Sequence, residues 1–233
     1  MQEPIPGAFK KPPKRYAPSG LSIIHEDRDL LIVDKIDGLL SIGNEREKEK
    51  TAQNLLNEYL RKGNSASKKR VYIVNRLDRD LSGLLICTKE ELAKRELQNN
   101  WHEYTKTFYA VVHGHIEAEE GIMTDPIKVE TKKGAIKSTK IVDAETKYKV
   151  IGTSKGYTMV ELTVMQTAKH QIRIHLAELG NPIVGDKLYG TVKGQRRLAL
   201  HSASATIPHP HSKKVYKFET EIPKYFKGLI KHG

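Results

Sequence analysis

Apolar residues recur along this chain in short runs, and their spacing predicts more strands than helices. Runs at 22–25 and 30–34 flank the polar turn 26–29, which indicates two strands with a tight connection. Further strands are predicted in VYIV (71–74), GLLICTK (83–89), YTKTFYAVVHG (104–114), AIKSTKIV (135–142), AETKYKVIGTS (144–154), GYTMVELTVM (156–165), LALHSASATI (198–207) and VYKFETEI (215–222). Residues 1–19 are basic and proline-rich, which predicts a flexible N-terminal arm and does not match a signal peptide.

Helical spacing occurs in fewer places. In TAQNLLNEYLRKG (51–63), four apolar side chains share one helical face before a closing glycine: Leu55, Leu56, Tyr59 and Leu60. Helices are also predicted at 90–101, in KHQIRIHLAELG (169–180) up to Gly180, and after Pro223. Because these helices interrupt the strands at irregular intervals, the chain is predicted to be α+β, with a mixed, mostly antiparallel central sheet and flanking helices.

The net charge of the chain indicates which class of partner it binds. The 233 residues carry a formal net charge of +12, and the basic residues form separate clusters in predicted loops, such as 68–70 and 196–197. General solubility is one explanation for this charge, but the distribution favours a polyanionic partner. No apolar run approaches the roughly 18 residues of a membrane helix. The single cysteine, Cys87, excludes an internal disulfide and fits a reducing cytoplasm.

The densest charge cluster stands directly before a predicted buried strand. In NRLDRDLSGLLI (75–86), Arg76, Asp78, Arg79 and Asp80 precede Ser82-Gly83 and three apolar residues. A turn carboxylate paired with its neighbours is the simpler interpretation of Asp78. The functional interpretation is a nucleophile or base in a desolvated cleft, which requires a cation to keep it ionised.

An arginine suited to that task lies in HQIRIH (170–175). On a helix, Ile172, Leu176 and Leu179 would pack inward, whereas Arg173 would lie at the boundary and reach a cleft. Arginine cannot lose its proton, so it is the best partner for such a carboxylate. A solvated helix arginine is an equally good interpretation from spacing alone.

The sequence gives little indication of a metal site, a nucleotide-binding loop or a serine nucleophile. The two histidines of HQIRIH are five residues apart, so they cannot hold one ion as an i, i+4 pair does. The histidines of HGH (113–115) and HPH (209–211) are expected to lack acidic or cysteine companions. Glycine-loop nucleotide motifs and a GxSxG nucleophile are absent as well. The sequence therefore predicts neither a metal site nor a cofactor.

Taken together, five ordered segments resemble the RluA-type RNA pseudouridine synthases. VDKIDGLLS (33–41) is similar to the family's Lys-Pro-x-Gly-Leu segment, and NRLDRDLSGLLI to its His-Arg-Leu-Asp motif. The remaining similar segments are TKTFYAVVHG (105–114), AKHQIRIHLAELGNPIVGDKLYG (168–190) and LALHSASATIPHP (198–210). The resemblance implies that residues 20–233 form a catalytic domain with the pseudouridine synthase fold and a catalytic cleft. It also implies that the small S4 RNA-binding domain of many relatives is absent.

The resemblance also assigns roles to residues. Asp78 falls on the catalytic aspartate, Arg173 on the arginine that pairs with it, and Arg76 on an arginine that contacts RNA beside the flipped nucleotide. Phe108 falls where a tyrosine usually stacks on the target base. His170 is the first residue of the HQIR motif and is assigned to substrate binding. Departures from the family pattern are Ile36 for proline, Asn75 for histidine, Leu81 for threonine, Phe108 for tyrosine and Thr167-Ala168 for glycine-arginine.

The function implied is isomerisation of specific uridines in structured RNA, either ribosomal or transfer RNA, by a cytoplasmic monomer that needs no cofactor and no membrane. Asp78 could attack C1′ or C6 of the nucleotide, or remove the C2′ proton to give a glycal, and the sequence leaves all three open. The alternative is a non-catalytic RNA-binding protein on a synthase scaffold. Both interpretations predict RNA binding that weakens steeply with salt.

Overall fold

The structure is a computed structural model that describes residues 18–45, 47–133, 136–166, 168–190 and 197–232; for 130–133, 136–138 and 232 it describes the backbone alone. The predicted N-terminal arm, apart from its last two residues, lies outside the described part. The elements are β1 (Leu21–Glu26), β2 (Leu30–Lys35), α1 (Ala52–Arg61), β3 (Tyr72–Ile73), β4 (Ser82–Thr88), α2 (Glu91–Asn99), β5 (Lys106–His113), β6 (Glu120–Met123), β7 (Ile127–Lys133), β8 (Ile136–Val142), β9 (Thr146–Ser154), β10 (Tyr157–Val164), α3 (Gln171–Glu178), β11 (Leu200–Pro208), β12 (Val215–Glu219) and α4 (Lys224–His232).

The described residues form two compact units. The first comprises those of Met1–Tyr104 together with Ser202–Glu221, and the second comprises those of Thr105–His201 together with Ile222–Gly233. In the first unit β2 pairs with β1 and β4, β3 pairs with β4, and β12 pairs with β11, each time antiparallel. In its hydrophobic core, alternate residues of β2 and β4 pack with side chains from α2 and β12: Leu30, Ile32, Leu84, Ile86, Leu97 and Phe218.

The second unit has a meander of antiparallel strands in which β10 lies between β5 and β9, and β6 pairs with β9. Strands β7 and β8 form a separate two-stranded sheet. Helix α4 packs on β5, β9 and β10, with its Phe226 side chain buried and Ile230 close to Gly152. The predicted α+β class is therefore confirmed. No helix in the described ranges has the length and apolar character needed to cross a membrane.

One detail of the sequence prediction is wrong, at Leu179 of α3, and the structure adds detail to the predicted face of α1. On α1 the buried residues are Ala52, Leu56 and Tyr59, whereas Leu55 and Leu60 are only partly buried. On α3, Ile172 and Leu176 pack inward as predicted, but Leu179 is 40% exposed, because the helix ends at Glu178 and Leu179 already belongs to its cap. Helical periodicity identifies a buried face, but it does not locate the end of the helix to the residue.

Candidate active site

The loop between β3 and β4 presents two of the predicted site residues to solvent. Asp78 and Arg76 are both exposed, whereas Leu77 between them and Leu81 after them are buried. This alternation directs the charged side chains outward and anchors the loop by its apolar ones. The described residues therefore do not provide the desolvated setting expected for Asp78.

Polar side chains fix the backbone of this loop at both ends. The amide of Asn75 donates to the carbonyl oxygen of Leu84 (3.0 Å) and accepts from the backbone N–H of Ile86 (2.7 Å), so it ties the start of the loop to β4. The hydroxyl of Ser41 donates to the Leu77 carbonyl oxygen (2.7 Å) and accepts from the Leu77 N–H (3.0 Å). The loop geometry is therefore held by residues distant in sequence.

The last residue of β2, Lys35, lies beneath the same loop. Its side chain is fully buried, and its Nζ donates to the carbonyl oxygens of Ile36 (3.0 Å), Leu39 (2.8 Å) and Asp78 (3.4 Å). Burial lowers the pKa of Lys35 to about 8, although nearby carboxylates, including that of Asp78, oppose the shift. A buried ammonium bonded to three carbonyls joins segment 36–39 to the backbone of Asp78.

Close packing follows directly after the loop. Gly83 has φ +115°, and a Cβ atom there would lie 2.2 Å from the backbone oxygen of Ser202. Only glycine combines this backbone conformation with this approach of a neighbouring chain segment. Gly83 thus explains the Ser-Gly pair that separates the charge cluster from the apolar strand.

In the second unit, Arg173 lies on α3 and is 8% exposed. Its Nε donates to Oδ2 of Asp186 (2.8 Å) and its Nη2 donates to Oδ1 (2.6 Å), a bidentate pair in which both side chains are buried. The Tyr189 ring centroid is 5.4 Å from Cζ of Arg173. Arg173 is therefore not the solvated helix arginine that spacing alone allowed.

His170 and Phe108 also lie in this unit. His170 precedes α3 with φ 60°, and its Nδ1 is 3.0 Å from the hydroxyl of Tyr189, so Tyr189 connects His170 with Arg173. Phe108 is 9% exposed on β5, on the face it shares with Lys106 and Ala110, and it stands opposite Leu162 of β10. Of the two adjacent aromatics, Phe108 is the buried one and Tyr109 is partly buried.

Comparison with known proteins identifies the family. A sequence model described as RNA pseudouridylate synthase matches residues 29–178. The chain is 31% identical over 221 residues to the uncharacterized RNA pseudouridine synthase YjbO of Bacillus subtilis, covering 92% of this chain and 77% of that protein. It is 30% identical over 211 residues to the dual-specificity RNA pseudouridine synthase RluA of Haemophilus influenzae, covering 86% and 93% respectively. The chain belongs to the RNA pseudouridylate synthase family.

A solved structure agrees on the fold. Human RNA pseudouridylate synthase domain containing 4 matches with a TM-score of 0.71 over 88% of this chain and 90% of that one, at 19% identity. The family and enzyme class that the sequence motifs predicted are thereby confirmed, and the non-catalytic alternative is not favoured.

Within this pseudouridine synthase, sequence reasoning missed residues that the fold brings to the site segments. The sequence assigns no role of their own to Lys35, within VDKIDGLLS (33–41), or to Asp186, within AKHQIRIHLAELGNPIVGDKLYG (168–190). Their positions inside otherwise apolar or turn-rich segments were the available signal, because a charged residue in such a place needs partners. Asn75, which departs from the family histidine, has a structural explanation in its two bonds to β4.

The expectation that His209 lacks acidic companions is wrong in three dimensions. Its Nε2 is 3.1 Å from Oδ2 of Asp27 and 3.8 Å from Oδ2 of Asp29. However, Nδ1 of His209 accepts from the backbone N–H groups of His211 and Ser212, so the ring proton is on Nε2 and points at Asp27. A metal would need that nitrogen unprotonated, and the cluster is therefore better described as a hydrogen-bonded one.

Proposed function

We propose that this chain converts uridine in RNA to pseudouridine with Asp78 as the nucleophile or base. The observation that carries the proposal is the exposed Asp78 carboxylate on a loop whose backbone is held by Asn75, Ser41 and Lys35. A side chain that must meet the sugar of a bound nucleotide has to be accessible and precisely held. The family match over 29–178 includes both this loop and α3.

The roles of the other residues follow from their chemistry. Arg173 is assigned as the cation that keeps Asp78 ionised once RNA excludes water, since a guanidinium stays charged at any working pH. Arg76, exposed beside Asp78, is assigned to the phosphate backbone. Phe108 is assigned to stacking on the flipped uracil, and His170 to the same substrate-binding set.

The reaction itself is a balanced rearrangement within one nucleotide. The N1–C1′ bond breaks, a C5–C1′ bond forms, C5 loses its proton and N1 gains one. No electrons are transferred and no group donor is consumed, so side-chain acid–base and nucleophilic chemistry is sufficient. Attack at C1′, attack at C6 and removal of the C2′ proton all begin with an ionised Asp78.

The proposal also names the substrate, a structured ribosomal or transfer RNA. It places the enzyme in the cytoplasm as a monomer. The net charge of +12 supports a polyanionic substrate. Pseudouridine mapping in RNA from a strain that lacks this gene identifies the substrate. Restoration of the missing modification by the purified chain then confirms the assignment.

The deciding experiment compares Asp78→Asn with Asp80→Asn. Both carboxylates are exposed in the same loop, so the control removes the same charge two residues away. Tritium release from RNA containing 5-tritiated uridine is expected to vanish in Asp78→Asn and to persist in Asp80→Asn. Both variants are expected to bind RNA. Native-like tritium release from Asp78→Asn would refute the assignment, and RNA binding without release by the native chain would support the binding-protein alternative.

A further inference from the structure

The carboxylate of Asp186 is a buried charge bonded to a proposed site residue, Arg173. It has no solvent-exposed side-chain surface, and it binds Arg173 through both of its oxygens. Oδ1 also accepts the backbone N–H groups of Leu188 (2.8 Å) and Tyr189 (3.0 Å). The hydrogen bonds within its own turn therefore fix the plane of the carboxylate independently of Arg173.

The turn that carries Asp186 has little freedom. Gly185 has φ +76°, and a Cβ atom there would lie 1.8 Å from the carbonyl oxygen of Arg197. The N–H of Gly190 donates to the Asp186 carbonyl oxygen (3.1 Å), which closes the turn on its other side. A carboxylate on such a rigid turn can hold the side chain that binds it in one orientation.

The contacts of Arg173 transfer this rigidity to its guanidinium. A bidentate pair sets the plane of the guanidinium as well as its position, which a single contact cannot do. Asp186 occupies the Nε and Nη2 edge, and the ring of Tyr189 covers Cζ from one side. The Tyr189 hydroxyl is in turn held by Nδ1 of His170.

We propose that Asp186 is a positioning residue for pseudouridine formation, acting through the orientation of Arg173. The inference rests on the proposed function, because it needs Arg173 to serve Asp78. Asp186 is not expected to contact the nucleotide. Its effect is to present the Nη1 end of Arg173 in one direction, while its charge offsets that of the buried guanidinium.

Asp186→Asn is the direct test, because asparagine has nearly the same shape and keeps an acceptor for Leu188 and Tyr189. Its amide nitrogen replaces Oδ2 and faces the N–H of Arg173 Nε, so the bidentate geometry is lost. We expect kcat for tritium release to fall by about 100-fold, the size that misplacement by about an ångström produces. The RNA dissociation constant is expected to stay within about threefold, since phosphate contacts dominate affinity. Asp143→Asn, an exposed carboxylate of the same unit, is the matched control.

A double-mutant cycle separates positioning from a merely structural role. Asp186→Asn is combined with Arg173→Met, and kcat is compared among the native chain, both single variants and the double variant. If Asp186 acts through Arg173, the double variant has the kcat of Arg173→Met within about threefold. The double variant is also expected to melt at a higher temperature than Arg173→Met, in which the Asp186 carboxylate is buried without its cation.

If Arg173→Met falls below detection, Arg173→Lys serves as the second background, because an ammonium has no plane to orient. Asp186→Asn then costs much less in that background than in the native chain. Equal losses of kcat in both backgrounds, or native kcat in Asp186→Asn, would overturn the positioning role while the proposed function stands. A native chain that forms no pseudouridine overturns both.

Discussion

The buried ammonium of Lys35 lies 3.4 Å from the carbonyl oxygen of Asp78, so the proposed catalytic loop is bonded from below by a lysine 43 residues earlier in the chain. The same nitrogen binds two carbonyls of segment 36–39. Lysine is seldom fully buried unless it is paired. Here its partners are backbone oxygens of the segment and of the loop, which suggests a role in loop geometry.

Lys35→Met tests this role. Methionine fills a similar volume but removes the lysine donor from three carbonyl oxygens, of which that of Asp78 keeps the N–H of Leu81 (3.2 Å). Each carbonyl that stays unsatisfied costs about 1–3 kcal/mol. We expect a clear loss of unfolding free energy and a kcat reduced by about tenfold or more, with RNA affinity nearly unchanged. Denaturant titration and tritium release measure the two effects, with exposed Lys68→Met as the control. An unchanged kcat would show that loop geometry does not depend on this lysine.

The pH dependence of stability gives a second test of Lys35. Burial lowers its pKa to about 8 in the folded chain, against about 10.4 when unfolded. Between these values the unfolded state binds more protons, so this group's contribution to the unfolding free energy rises with pH and is lost as pH falls through 8. The difference in unfolding free energy between the native chain and Lys35→Met is expected to grow by on the order of 2–3 kcal/mol from pH 7 to pH 10.5. A constant difference, measured by urea titration, would contradict the shift.

Asn75→Ala tests the attachment of the loop to β4. The change removes two hydrogen bonds and leaves the Ile86 N–H and the Leu84 carbonyl without these partners. A loss of about 1–3 kcal/mol in unfolding free energy is expected, together with a lower kcat because Asp78 follows three residues later. Asn100→Ala, whose amide bonds an exposed helix carbonyl, should change neither quantity appreciably. Loss of stability with native kcat would limit Asn75 to a structural role.

Arg76→Gln tests the phosphate contact. Removing one phosphate-binding charge is expected to weaken RNA binding and to reduce the salt slope, the dependence of log K on log salt, by about 1. The kcat at saturating RNA should change little. Filter binding from low to high salt measures the slope, and Arg28→Gln, also exposed in the first unit, is the control. An unchanged slope would remove Arg76 from the RNA interface.

Phe108 is expected to tolerate tyrosine but not leucine. Base stacking on an aromatic ring contributes about 1–3 kcal/mol, so Phe108→Leu should lower kcat/KM by roughly 5- to 150-fold while filling most of the buried volume. Phe108→Tyr restores the family's hydroxyl and keeps the ring, and its kcat/KM should stay within about threefold of the native value. Steady-state kinetics on the modified RNA provide the comparison. Equal activity of the leucine variant would exclude stacking by this ring.

The elements were predictable because their signal is local. Continuous apolar runs in β2 and β4, and apolar spacing on α1 and α3, follow from which side chains the core can accept. The errors arose at the boundaries of elements, which apolar periodicity does not locate to the residue. Leu179 is exposed because α3 ends at Glu178, and the two-stranded sheet of β7 and β8 requires a strand, Ile127–Lys133, that the pattern did not separate.

The sequence by itself determined the class of this protein. The apolar pattern predicted an α+β chain, the net charge of +12 favoured a polyanionic partner, and the resemblance of the motifs around Asp78 and Arg173 to a known family implied an RNA-modifying enzyme. Only the tertiary structure decided the partners of the charged residues: Asp186 for Arg173, three carbonyls for Lys35, and Asp27 for His209, 182 residues apart. Periodicity reports the environment of a residue along its own element, whereas an ion pair depends on which distant segments the folded chain brings within about 3 Å.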